Sequence, residues 1–280
     1  MLNFFIIGAV QAAPATGVPA ADGATGQAAG ASKAVDPMHQ FEIVRYLPID
    51  VGGVDASFTN ASLWMVLATV LITSFLVYSM RNSALVPSRV QSLGEVTYEF
   101  VANMVRENSG ESGMKYFPLI FTLFVFILVL NLLGLVPLPF LGSFTVTSHI
   151  IVTFALAMVV FLAVTLIGII KNGFGFLKLF VPSGVPLWLL PLIVVVELIS
   201  YLTRPISLSV RLFANMMAGH TMLKVFASFV VGLGVLGGWA PLVFMVGITA
   251  LEVLVAFLQA YVFAVLSCIY LNDALHASDH

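Results

Sequence analysis

Six ionisable side chains fall inside the two longest apolar runs of the chain, where a bare charge has little water to stabilise it. Glu197, Arg204, Arg211, His220 and Lys224 lie in residues 187–231, and Glu252 lies in residues 242–271. Charge at membrane depth is costly, so each of these is a candidate for handling ions or protons. Glu197, Arg204 and Arg211 stand seven apart, and seven residues at about 100° each return to nearly the same helix face. Ser200, Ser207 and Asn215 lie close to that stripe. Glu252, Gln259 and Tyr270 share a face of the second run by the same count. The chemistry such groups can do is proton transfer. A guanidinium stays protonated at any accessible pH, and a carboxyl group beside it is driven to release its proton. Histidine titrates near neutral pH, and a neighbouring carboxylate tunes it.

The elements that must position these residues follow from composition. The 280 residues are 60% hydrophobic and 9% charged, with mean hydropathy +1.09. Soluble domains carry roughly a quarter charged residues. A chain so poor in charge cannot cover a water-facing surface, so lipid must do so. The net charge of -2 points to no acidic or nucleic-acid partner. The single cysteine, Cys268, excludes an internal disulfide and a thiolate metal site. No phosphate-binding glycine loop such as GxxxxGK[ST] occurs, so nucleotide chemistry is left to other chains.

Five stretches reach the ~20 apolar residues that a bilayer requires. They lie near 61–80, 116–138, 146–170, 187–231 and 242–271. Residues 88–110 are different, with Val90, Leu93, Val96, Phe100, Val101 and Met104 at helical spacing and charges mostly elsewhere. That segment is an amphipathic helix too polar to span, expected to lie along the membrane surface. The fold class is therefore an all-α polytopic membrane protein with five transmembrane helices and one amphipathic surface helix. Residues 37–280 form one membrane domain. Residues 1–36 are rich in Ala, Gly, Pro and Thr and have little to bury, so they are expected to be weakly ordered. The opening Leu2–Val10 run is too short to span. Followed by Val10-Gln11-Ala12, it has the form of a leader core with its cleavage triplet, although no basic residues precede it.

The fourth stretch is too long for a simple crossing. About 45 residues at ~1.5 Å each extend roughly 68 Å, against a hydrocarbon core of about 30 Å. A steeply tilted, curved helix is expected, with Pro205 inviting a bend. The glycine-rich Gly232–Trp239 segment folds the last two spans into an antiparallel hairpin. Its register sets Arg211 level with Ala260, beside Gln259, and His220 level with Leu251, beside Glu252. His220 is nine residues past Arg211, the opposite face of an ideal helix. Either the helix rewinds at Ala218-Gly219, or His220 opens onto a different cavity.

Each candidate also has a plainer reading. Arg211 could be half of a structural ion pair with Glu252 or Glu197, since buried charges are usually paired. His220 alone could be a satisfied core histidine, and Glu197 could neutralise Arg204. Arg204 could brace the Pro205 bend, and Lys224, near the outer leaflet, can snorkel and is left out of the site. Asn215 and Gln259 could be interhelical glue, as Asn131 is read to be. His149, near the outer end of the third span, either extends an outer channel or meets headgroups.

The run Ser207-Leu-Ser-Val-Arg-Leu-Phe-Ala-Asn-Met-Met-Ala-Gly-His220 closely resembles the signature of subunit a of the rotary ATP synthase. Glu197, Glu252, Gln259 and Tyr270 match other functional positions of that family, and the resemblance covers roughly residues 40–275. It implies a stationary, non-catalytic channel component working against a turning ring of small proteolipid subunits (subunit c). The peripheral-stalk subunits of the b type and the remainder of the synthase would be its other partners, with no cofactor. Arg211 would be the essential cation between two aqueous half-channels. His220 and Glu252 would relay protons on the outer side, with His149 a possible extension of that channel. Asn215 and Gln259 would hold water and position Arg211, and Glu197, Ser207 and Tyr270 would line the inner exit. Some bacterial members carry a carboxylate at the His220 position and a histidine at the Glu252 position. This chain has the exchanged arrangement, similar to the mitochondrial version. The bacterial inner membrane is the expected location, with the mitochondrial inner membrane as the alternative.

Rival functions fit less well. A secondary transporter is expected to show paired halves, and no internal repeat is evident. A structural scaffold has no reason to hold Arg, His and Glu at membrane depth. A sodium-driven synthase is the closest alternative, because ion choice is expected to rest largely on the ring.

Loop charge sets the expected orientation. With the amino terminus outside, Arg81, Arg89, Arg106, Lys115, Lys171 and Lys178 fall inside, and only Lys33 and Arg45 outside. The carboxyl terminus is then cytoplasmic. In sealed right-side-out vesicles of a Cys268-free protein, a cysteine at Ser143 should react with an impermeant reagent and one at Gly173 should not. The reverse pattern would invert the topology.

Overall fold

The computed structural model describes residues 45–47, 50–51, 54–55, 57–81, 87–136, 144–181 and 188–276. Residues 1–36, with their low-complexity and leader readings, lie outside the described residues. Four short strands come first: β1 (Arg45–Leu47), β2 (Asp50–Val51), β3 (Val54–Asp55) and β4 (Phe58–Thr59). β1 pairs with β4 and β2 with β3, both antiparallel, with Arg45 opposite Thr59 and Asp50 opposite Asp55. Sequence reading had assigned no element here, because two- and three-residue strands carry no periodicity to detect.

The first helix, α1 (Asn60–Met80), starts where the Thr59 side chain accepts from the Ser62 N–H. The helix α2 (Arg89–Gly113) is capped in the same way by Ser88, each hydroxyl satisfying a donor that the helix leaves open. A 3-10 turn, Met114–Tyr116, joins α2 to α3 (Phe117–Leu135), which has a proline in its first turn. Proline is favourable there because no N–H is needed. A second 3-10 turn, Val146–Ser148, precedes α4 (Ile150–Asn172). His149 between them is extended (φ -105°, ψ 119°), so the span begins at Ile150 rather than at 146. A third 3-10 segment, Gly173–Phe180, leads to α5 (Leu190–Gly237) and α6 (Trp239–Leu275). Five helical segments among the described residues are long and apolar enough to cross a membrane.

α5 runs unbroken through Pro205, and its one non-helical residue is Gly234 (φ 63°, ψ -164°). A side chain is strongly disfavoured at that φ, so glycine makes the change of direction possible. The 45 residues from Leu190 to Gly234 extend about 68 Å at ~1.5 Å per residue, far more than a core of about 30 Å, so tilt is expected. Local hydroxyls serve the backbone on both sides of the proline, Thr203 donating to the Ser200 carbonyl and Ser209 to that of Ile206.

α6 is the hub, packing against α5, α3, α2 and α4. Its buried face carries Ala256, Ala260, Ala264, Ser267, Cys268 and Ala274, and small side chains let neighbouring helices approach closely. Ser109 of α2 donates to the Cys268 carbonyl at 2.7 Å, and Asn131 of α3 to that of Ala256 at 3.3 Å. The amphipathic stripe of α2 is thus divided. Val101 and Met104 are buried in the core while Val90, Leu93 and Val96 remain exposed.

Candidate functional site

α5 presents two faces with different chemistry. One is exposed and includes Ser200, Ser207, Arg211, Ala214, Asn215 and Ala218, all short side chains except the arginine. Arg211 stands near the middle of the helix and forms no ion pair with any described residue. Neither Glu252 nor Glu197 reaches it, so the structural ion-pair reading does not apply within the described residues. Asn215, one turn on, donates through Nδ2 to Gln259 Oε1 of α6 at 2.8 Å. Gln259 is buried, and its Nε2 has no hydrogen bond among the described residues.

His220 belongs to the other face. α5 has regular helical dihedrals through Ala218-Gly219, so there is no local rewinding, and His220 points away from the Arg211 stripe into the protein. It is buried, as is Glu252, and Nδ1 lies 3.5 Å from Glu252 Oε1. Nε2 lies 2.7 Å from Thr145 Oγ1. Gly219 makes room for the carboxylate, because a Cβ there would meet Glu252 Oε1 at 2.6 Å. Neither Glu252 oxygen has a hydrogen bond among the described residues, so the contact with His220 is a close electrostatic approach, not a closed bond. His149 sits in the same segment as Thr145, just before α4, with its ring 5.1 Å from that of Phe144.

The first half of α5 and the last turns of α6 hold a third group. Arg204 Nη1 lies 3.1 Å from Asp273 Oδ2, and its guanidinium carbon lies 4.7 Å from the Tyr270 ring centre and 5.4 Å from that of Tyr201. Thr165 gives its proton to the Phe161 carbonyl, so the Tyr201 hydroxyl donates to Thr165, at 2.6 Å. Arg204 is thus fixed by a carboxylate and by two aromatic faces. Glu197 is half-buried and does not pair with Arg204, so it is not the neutralising partner. Tyr270 engages Arg204, and Ser207 is exposed on the Arg211 face.

Measured against the hairpin register, the contacts drift. His220 meets Glu252, one residue from its expected level, and Asn215 meets Gln259, three residues away. Arg204 meets Asp273, six away, a slip that its long side chain helps to span. Asp273 and Thr145 were not singled out in the sequence. Asp273 lies past the last apolar run, and Thr145 in a loop where no periodicity guides the eye. The hydroxyl-rich segment Ser143-Phe-Thr-Val-Thr-Ser148 is the signal that could have found Thr145.

Comparison with known proteins adds an independent line. A family described as ATP synthase A chain matches residues 62–272. ATP synthase subunit a of Rhizobium rhizogenes is 59% identical over 250 residues, covering 87% of this chain and 98% of that protein. Subunit a of a Chelativorans species is 60% identical over 249 residues, covering 87% and 98%. That of Pelagibacter ubique is 57% identical over 244 residues, again covering 87% and 98%.

The Arg204–Asp273 cluster gives a direct test. In Asp273→Asn, Arg204 loses its counter-charge in a half-buried setting, a loss of about 1 kcal/mol once the partial exposure of Asp273 is allowed for. Thermal denaturation and yield of the purified complex should both fall. Arg204→Gln combined with Asp273→Asn should recover most of the loss, because no orphan charge remains. A double variant as unstable as Asp273→Asn would show that the pair does not act as a unit.

Proposed function

The chain belongs to the ATP synthase subunit a family, and on that premise we propose that it is the stationary proton-conducting subunit of the synthase membrane sector. It works against a ring of small subunits, each carrying a membrane carboxylate, and is anchored by peripheral-stalk subunits. It carries out no bond chemistry on nucleotides itself. Protons enter from outside through one aqueous half-channel, load a ring carboxylate, and leave inward through a second after the ring has turned. The bacterial inner membrane is its location, with the amino terminus outside.

The observation that carries this reading is Arg211. It sits mid-helix on an exposed face of short side chains, without a partner carboxylate among the described residues. Short residues let another helix come close, and the free guanidinium then attracts whatever carboxylate that helix presents. The attraction favours the ionised form, so a ring carboxyl group reaching Arg211 releases its proton. The same fixed charge opposes direct passage of protons between the half-channels. Asn215 and Gln259, bonded to each other, border this zone as polar groups able to hold water. His220 and Glu252, buried on the opposite face, suit a separate outer relay, with His149 towards its mouth. Glu197, Ser207 and Tyr270 suit the inner exit, where Glu197 is not consumed in neutralising Arg204.

Arg211→Ala removes the charge and leaves a good helix former, so folding should largely survive. In inverted vesicles, synthesis per assembled complex should fall below detection while passive proton leak persists or rises. Arg211→Lys should rescue poorly, since an ammonium lacks the planar fork and can lose its proton when desolvated. Normal coupling per complex in Arg211→Ala would overturn the mechanism.

A further inference from the structure

We propose that Thr145 is a positioning residue for the outer relay: its hydroxyl holds Nε2 of His220 and fixes which ring nitrogen carries the proton. The inference rests on the relay reading of His220 and Glu252. Its geometric basis is separate.

Thr145 is held from every side. Its neighbours Phe144 and Val146 are buried in a cluster with Trp64, Ala61 and Leu130. Its carbonyl accepts from the Ser148 N–H at 3.1 Å, closing the 3-10 turn. Gly134 of α3 lies against its side chain so closely that a Cβ there would meet Thr145 Oγ1 at 2.8 Å. The side chain is buried, and Oγ1 reaches His220 Nε2 at 2.7 Å. Nothing about this placement is loose.

The hydrogen-bond logic then assigns direction. With Glu252 ionised, its oxygen 3.5 Å from Nδ1 can only accept, and this electrostatic approach favours the ring proton on Nδ1 over Nε2. In a neutral imidazole the other nitrogen is then an acceptor, so Thr145 donates to Nε2. That leaves the Thr145 oxygen free to accept a proton from outer water. One transfer balances as follows. The Thr145 O–H proton moves to Nε2, and a hydronium on the outer side supplies a replacement to Oγ1 and is left as water. The Nδ1–H bond breaks and its proton passes to Glu252, leaving the ring neutral. The ring now carries hydrogen on Nε2 and returns to its first tautomer by proton exchange with water, losing the proton on Nε2 and gaining one on Nδ1. Thr147 and Ser148, buried in the same turn without hydrogen bonds from their hydroxyls among the described residues, add polar lining beside this entrance.

The test compares Thr145→Val, which keeps the shape and removes the hydroxyl, with Thr145→Ser, which keeps the hydroxyl. Proton-driven synthesis per assembled complex should drop about fivefold in Thr145→Val, as expected for one lost hydrogen bond, and return towards normal in Thr145→Ser. Adding Thr145→Val to His220→Ala should cost nothing further, because the threonine acts through the ring. Nitrogen NMR of histidine-labelled complex, with the His220 signal assigned by its loss in His220→Ala, should show the Nδ1–H tautomer. Thr145→Val should disturb that signature and Thr145→Ser preserve it. Normal synthesis in Thr145→Val, failure of Thr145→Ser to rescue, or an unchanged His220 signal would each overturn the proposal. If His220→Ala itself couples normally, the relay reading falls, and the NMR comparison still decides whether Thr145 sets the tautomer.

Discussion

A guanidinium placed in hydrocarbon needs an opposite charge, and within the described residues Arg211 has none. Arg204 is paired with Asp273, and Glu252 lies 3.5 Å from His220 without a hydrogen bond among the described residues. Arg211, Glu197 and Lys224 form no ion pair with any described residue, and of these three Arg211 is the exposed one, on a face that includes several short side chains. Under the function proposed above, its counter-ion arrives from another chain, and the position stays available to it. A pair formed within the chain would lower the energy of this protein alone and take away the attraction that the proposed mechanism uses.

The hub role of α6 is what allows the two faces of α5 to stay distinct. Its row of alanines, with Ser267 and Cys268, draws α2, α3, α4 and α5 around one helix. Buried hydrogen bonds from Ser109 and Asn131 to α6 carbonyls then oppose rotation of α6 about its axis. With that rotation fixed, Glu252 and Gln259 are delivered to different levels of α5, one to His220 and one to Asn215. Loss of small residues here would act at a distance, by turning both polar groups away from their partners.

Much of this could be read from residue spacing. Apolar runs of sufficient length located the five spans, and whole-turn arithmetic put Glu197, Arg204 and Arg211 on a common stripe. The glycine-rich turn brought His220 near Glu252 and left open whether the helix rewound beneath the histidine. Regular dihedrals through Gly219 settle that it does not. The divided stripe of α2 was invisible because helical periodicity says which residues are apolar, not how much of the stripe a neighbour covers. The break came at Gly234 and not at Pro205, because a proline costs one hydrogen bond and some steric strain, which a long helix can absorb. A glycine at positive φ changes the direction of the chain itself. Thr145 and Asp273 escaped because their partners lie 75 and 69 positions away, and neither belongs to an apolar repeat.

The missing side chain at Gly219 also sets how little change the buried pair tolerates. The Glu252 carboxylate occupies the place where a Cβ of residue 219 would sit, so even alanine there would push the carboxylate aside and alter its 3.5 Å approach to His220. A single methyl group on one helix would thus disturb a contact whose two members stand on two helices.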